Sequence, residues 1–262
     1  MENREWATDL DRGRMADVLA SAHDRDPAAF AGDCRVPTSR SLAASDEVRA
    51  YLVGQLNLAL RRPGMFGNEL GLRILVDHLL FVECRPEALA EQQRVWEERG
   101  AWSNIGVAGA FRDLIPDSYY EYGMASVYAE FAHRRGWLKP DRVLGSDEYA
   151  ALQGSVRQWA GEDRVWADVV DEFGSPSMLF GGTNPLYGKT LGYLTENPEE
   201  PMVSFHLWNG SAPGTGQSWP PEHEEPLLLA VRFGTGPFRQ SFTFTPEGQR
   251  RLPAGWRSRS AG

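Results

Sequence analysis

Hydrophobic positions recur at helical spacing through the first 173 residues and alternate with polar ones afterwards. Residues 4–22 read as a helix with Leu10, Met15, Val18 and Leu19 on one side. Residues 24–45 carry Pro27, Gly32 and Pro37 and read as a loop. Ser45 is placed to cap a helix over 46–61, whose apolar row is Val48, Leu52, Leu56 and Leu60, joined by Tyr51. Arg62-Pro63-Gly64 stops it, because the residue before a proline is pushed out of the helical region. Asn68 is expected to cap a third helix with a buried face of Leu72, Leu75, Val76, Leu79 and Leu80. A fourth helix has Pro86 in its first turn and ends near Gly100. Helices follow over 104–115, 117–135 (Gly136 as left-handed cap), 146–160 and 162–173.

From residue 177 the alternation predicts strands at 177–180, 190–195, 202–208, 227–233 and 240–245. Gly181-Gly182, Asn197-Pro198, Pro213-Gly214 and Gly234-Thr235-Gly236 lie in the connectors as turn formers. Short connectors make an antiparallel meander. Helices first and strands afterwards define an α+β fold: an N-terminal helical bundle followed by a C-terminal antiparallel β-meander. The expected organisation is a helical region over 1–173, a β-rich region over 174–252 packed on it, and a flexible tail over 253–262.

Charge narrows the partners. The net charge is −9, from 27 basic and 36 acidic residues, and phosphate backbones repel such a surface. No basic patch interrupts it before Arg250, Arg251, Arg257 and Arg259, which read as a solvated tail, so no nucleic-acid partner is expected. Cys34 and Cys84 are far apart and outside any Cys-x-x-Cys spacing, which fits lone thiols in a reducing compartment. The opening residues lack an apolar signal segment, and the apolar run from Leu70 to Val82 is interrupted by Arg73, Asp77 and His78. A cytoplasmic protein without a membrane span is the expectation.

Candidate chemistry concentrates after residue 180. Gly182-Thr183-Asn184-Pro185-Leu186-Tyr187-Gly188-Lys189-Thr190 approaches a phosphate loop. The spacer is five residues where that loop needs four, Pro185 removes a backbone donor, and a strand follows where a helix should, so the segment reads as a hairpin loop. Lys189 at its mouth has the charge to hold an anionic group, or is a solvated lysine at a strand start. In the third strand Val203, Phe205 and Leu207 take one face, and Ser204, His206 and Trp208 the other. Either helices cover the second face, with His206 a hydrogen-bonded core histidine, or the face lines a groove. Asn209 follows directly, and Tyr187 lies beside the neighbouring strand. Tyr187, Lys189, Ser204, His206, Trp208 and Asn209 are therefore the candidate binding residues.

Other constellations read as structural. Glu222-His223-Glu224-Glu225 are adjacent and flanked by prolines, so they diverge in an extended loop and do not close on one ion. His78 has no ligand partner at helical spacing, and His23 and His133 sit near helix ends where the dipole favours a cation. No G-x-S-x-G elbow or H-E-x-x-H is present, and no catalytic residue, metal site or cofactor is assigned.

Arg62-Pro63-Gly64-Met65-Phe66-Gly67, followed by the apolar helix through Leu79-Leu80-Phe81-Val82, resembles the "RPGMY" segment of small helical bacterial proteins, uncharacterised or assigned as toxin-immunity proteins. The resemblance covers residues 60–140, with Trp96, Trp102 and Trp137 matching the tryptophan-bearing helices of those families. Met65 and Phe66 have an alternative role as residues docked into the core. A similar string occurs in gyrase-type ATPases, but the following helix here, Val76-Asp77-His78-Leu79, lacks their magnesium-binding Asn. The resemblance implies a protein-binding role without catalysis. Nine tryptophans and eight tyrosines supply the side chains that dominate protein interfaces. The expected function is binding of another protein, immunity-like or regulatory. The alternative is a small-molecule binder or enzyme using the face around His206 and Trp208.

Overall fold

The computed structural model describes residues 45–112, 114–115, 119–210 and 221–252. The expected helix over 4–22, the loop over 24–45 and the tail over 253–262 lie largely or wholly outside these residues. Among these residues eight α-helices are formed: α1 (Ser45–Arg61), α2 (Asn68–Val82), α3 (Ala88–Arg99), α4 (Val107–Arg112), α5 (Tyr120–Arg134), α6 (Ser146–Trp159), α7 (Trp166–Phe173) and α8 (Pro246–Arg251). The described residues also form five strands: β1 (Met178–Phe180), β2 (Lys189–Tyr193), β3 (Val203–Trp208), β4 (Leu227–Arg232) and β5 (Phe242–Phe244). They form one antiparallel sheet in the order β1-β2-β3-β4-β5, so the α+β meander read from the sequence is the fold.

The face α1 buries is Val53, Leu56, Asn57, Ala59 and Leu60, while Tyr51 is exposed. The predicted row of every fourth residue drifts about 40° per step on a helix of 3.6 residues per turn, so one neighbour cannot cover all of it. Asn57 belongs to the buried face because its polar atoms are used. Its Nδ2 donates to the carbonyls of Val53 and Trp137, and its Oδ1 accepts from the Lys139 N–H, at 2.8, 2.8 and 2.7 Å.

Pro63 ends α1 and opens a 3₁₀ turn, Pro63–Phe66. Gly67 and Asn68 both take left-handed backbone, at φ 82° and 56°. Asn68 is thus the first residue of α2 and not its side-chain cap. Glu69, buried in the first turn of α2, caps a different helix. Its carboxylate accepts the N–H groups of Val107 and Ala108 at the start of α4, both at 2.8 Å, and the Tyr128 hydroxyl at 2.9 Å. Gly106, at φ 93°, makes the approach possible, since a Cβ there would lie 2.4 Å from Glu69 Oε1. Pro86 precedes α3 and does not sit in its first turn.

Helix α5 is the centre of the bundle and is buried continuously from Gly123 to Ala129. It closes as predicted: the N–H groups of Gly136 and Trp137 bond back to the carbonyls of His133 and Ala132. The predicted helix over 162–173 begins only at Trp166. Residues before it pair with β4 instead: Trp166 N–H bonds the Pro226 carbonyl, and Leu228 N–H the Arg164 carbonyl.

The sheet is a middle layer. One face packs with α1–α5 through Met178, Phe180, Ala230 and Phe242. The other packs with α6 and α7 through Leu191, Tyr193, Val203, Phe205 and Leu207. Every residue of β3 is buried as a result. After β5 comes a helix the alternation did not predict, α8. Thr245 caps it by accepting the Gly248 N–H. Arg250 and Arg251 belong to this helix and are ion-paired, to Asp163 and Glu247 and to Glu247 respectively. They are not part of a solvated tail.

Candidate functional site

Strand alternation puts Ser204 and His206 on the face toward α5, and they are sealed there: His206 is 1% exposed. His206 Nδ1 shares a hydrogen bond with Thr190 Oγ1 at 3.0 Å, while Nε2 has no hydrogen-bond partner among the described residues. The rings of Phe111 and Phe242 lie 5.4 and 5.8 Å from it. Burial first, and the Arg232 charge second, hold the imidazole pKa well below 6.5, so it is neutral near pH 7. Ser204 Oγ accepts from Arg232 Nη2 at 3.4 Å, and Arg232, itself buried, ion-pairs Glu130 at 3.0 Å. Ser204 and His206 therefore turn to different partners and form no nucleophile–base pair. Of the two readings left open for this face, the packed core is realised and the groove is not.

The other candidates separate into two places. At the opposite end of β3, Trp208 is buried against the Arg251 guanidinium, 3.8 Å from the ring centroid, and the His223 ring at 5.9 Å. Asn209 donates to the carbonyls of Leu186 and His223 and accepts the His223 N–H, at 2.7, 2.9 and 3.0 Å, which ties two loops together. The acidic loop expected to be solvated is tied down as well: Glu225 accepts the Ala167 N–H in the first turn of α7, where the helix dipole favours a carboxylate.

Lys189 is not a rim or solvated residue. It is 1% exposed, its Nζ donates to the Asn184 carbonyl at 2.8 Å, and it stands 4.3 Å above the Trp166 ring. Burial, and then the nearby Arg62, lower its pKa to about 8. Tyr187 lies in the loop over it, half-buried. A shallow cleft elsewhere, of about 20 Å³, is lined by Arg99, Glu130, His133, Glu199 and Glu200 and has room for about one ordered water.

A row of exposed apolar residues on α2 was not legible in the sequence. Leu70, Ile74 and Phe81 of α2 are 67%, 47% and 73% exposed, and Met65 in the turn before it is 71% exposed. Met65 therefore does not dock into the core, although Phe66 packs partly against it. At about 100° per residue, Leu70, Ile74, Asp77 and Phe81 fall within an arc of about 60° on α2. The buried face predicted for α2, with Leu72, Val76, Leu79 and Leu80, lies on the other side. Helix periodicity revealed one apolar stripe and concealed a second.

No protein family, curated protein or solved structure matches this chain.

Proposed function

We propose that this chain acts by binding another protein through the outward stripe of α2, in a regulatory or immunity-like role without catalysis. The observation that carries the reading is the alignment of exposed Leu70, Ile74 and Phe81 on one helical face, with Met65 beside it. Fully burying each such side chain is worth about 1.5–3 kcal/mol, so an aligned set is a costly surface to leave in water. The resemblance to RPGMY-type helical proteins falls on the same segment. Asp77, exposed within the stripe, sets the chemistry of the partner: an apolar groove with a cation facing that carboxylate.

The test is comparative copurification from the source cells. Tagged wild-type chain and Val95→Glu, altered at an exposed apolar residue of α3, should recover the same partner. Leu70→Glu/Phe81→Glu should lose it. The proposal fails if all three recover the same proteins, or if the double variant alters only self-association in sedimentation.

A further inference from the structure

We propose that, when no partner is bound, the outward stripe of α2 docks on the same stripe of a second copy of this chain, as a two-fold antiparallel helix pair centred near residue 75. This rests on the reading of the stripe as a docking face and supplies its resting occupant. The stripe carries both of the charges that such a pair needs. Arg73 and Asp77 are exposed along one flank of it. Arg73 lays its guanidinium over the Trp102 ring, 5.2 Å from the centroid, which occupies the flat face of the group and leaves the N–H donors on its edge. The carboxylate one turn before it, Glu69, is spent on Val107, Ala108 and Tyr128. Neither Arg73 nor Asp77 has an ion-pair partner among the described residues.

The turn and rise of the helix set how two such stripes meet. Measured around the axis from Leu70, Phe81 and Ile74 stand at about +20° and about +40°, and Asp77 and Arg73 at about −20° and about −60°. A two-fold axis that sets one helix antiparallel to its copy brings like flank against like flank, so the charged flanks face each other. Along the helix Arg73 lies about 3 Å before residue 75, and Asp77 about 3 Å after it. In the antiparallel pair each Arg73 is therefore level with the Asp77 of the second copy, and the contact is made twice. Leu70, about 7.5 Å before the centre, comes level with Phe81 of the second copy, about 9 Å after it, and Ile74 meets Ile74 near the centre. A parallel pair sends the charged flanks to opposite sides and loses both ion pairs.

The apolar contacts supply the attraction, and the ion pairs, at the rim, fix register and orientation. With Met65, four exposed apolar side chains a copy fall far short of the roughly 20–30 residues a side that a lasting complex buries, so the pair is weak and reversible. One stripe cannot serve two occupants at once, so the partner and the second copy compete for it.

Sedimentation velocity of the full chain, from micromolar to near-millimolar concentration, tests this. Wild type and Val95→Glu should pass from monomer to dimer over the same range. Leu70→Glu/Phe81→Glu should remain monomeric. Arg73→Asp and Asp77→Arg, each alone, should raise the dimer dissociation constant by about tenfold. The double swap Arg73→Asp/Asp77→Arg should restore it, and so should an equimolar mixture of the two single variants, since both recreate the reciprocal pairs. A wild-type chain that stays monomeric throughout, a dimer indifferent to Leu70→Glu/Phe81→Glu, or a double swap as weak as the single variants overturns the proposal. Copurification keeps the two readings apart. A stripe-dependent partner recovered by a chain that never dimerises strikes only this inference, and a dimer from a chain that recovers no such partner strikes only the reading it rests on.

Discussion

Burial lowers the pKa of two histidines among the described residues. His206 is neutral and buried in the folded chain, and its pKa is depressed; burial, ahead of the opposing carbonyls of Thr195 and Asn197, depresses that of His133 too. Below about pH 6.5 the unfolded chain binds protons on these imidazoles that the folded chain refuses. Their contribution to stability is thus complete above pH 6.5 and is lost as pH falls toward the folded-state values. Urea denaturation should show stability declining from pH 7 to 5 at up to about 1.4 kcal/mol per pH unit for each group. His206→Leu should flatten that slope; an unchanged slope would contradict the neutral, buried assignment. What the sequence revealed at this scale was face membership. Alternation put Ser204 and His206 on one face, which packs toward α5, while Trp208 packs on Arg251 and His223. It carried no information on covering, because the residues that seal His206, Phe111 and Phe242, are far away in the chain. Lys189 was misread for the same reason: Trp166, over whose ring its ammonium stands, is distant in sequence.

At the scale of elements, one decisive cap comes from outside the helix it serves. Helix α4 has only six residues and depends on the Glu69 carboxylate of α2. Glu69→Ala should cost about 3 kcal/mol, since it removes a charged acceptor and strands two N–H groups and a buried phenol. Glu69→Gln, which keeps one good acceptor, should cost less, and Gly106→Ala should destabilise by displacing the carboxylate. Chemical denaturation of the three variants measures this; a cost for Glu69→Ala within the ±0.5 kcal/mol usual for surface substitutions would refute the role. Such long-range caps have no signature in local spacing. Helix cores were legible from period and strands from alternation, while the start of α7 shifted because the residues before it pair with β4 and its approach. The outward stripe of α2 was hidden by its own composition, since apolar residues on both sides of a helix look like a broad buried face.

Across the whole molecule the sheet joins two cores. The described residues form one compact unit, in which strands supply part of the core of α1–α5 and part of the core of α6 and α7. Helices and sheet should therefore lose structure together. Tryptophan fluorescence and far-UV circular dichroism should give coincident urea transitions, and separated midpoints would show that the bundle is independent. The order of the strands also decides how this chain can meet another. Its two border strands, β1 and β5, have three residues each, and the N–H of Gly181, directly after β1, is already bonded to the end of α1. A neighbouring chain seeking to lengthen the sheet finds almost no open backbone ladder, which is how folded proteins resist growing edge to edge into fibres. Among the described residues, the sheet borders therefore offer little to recognition by strand addition.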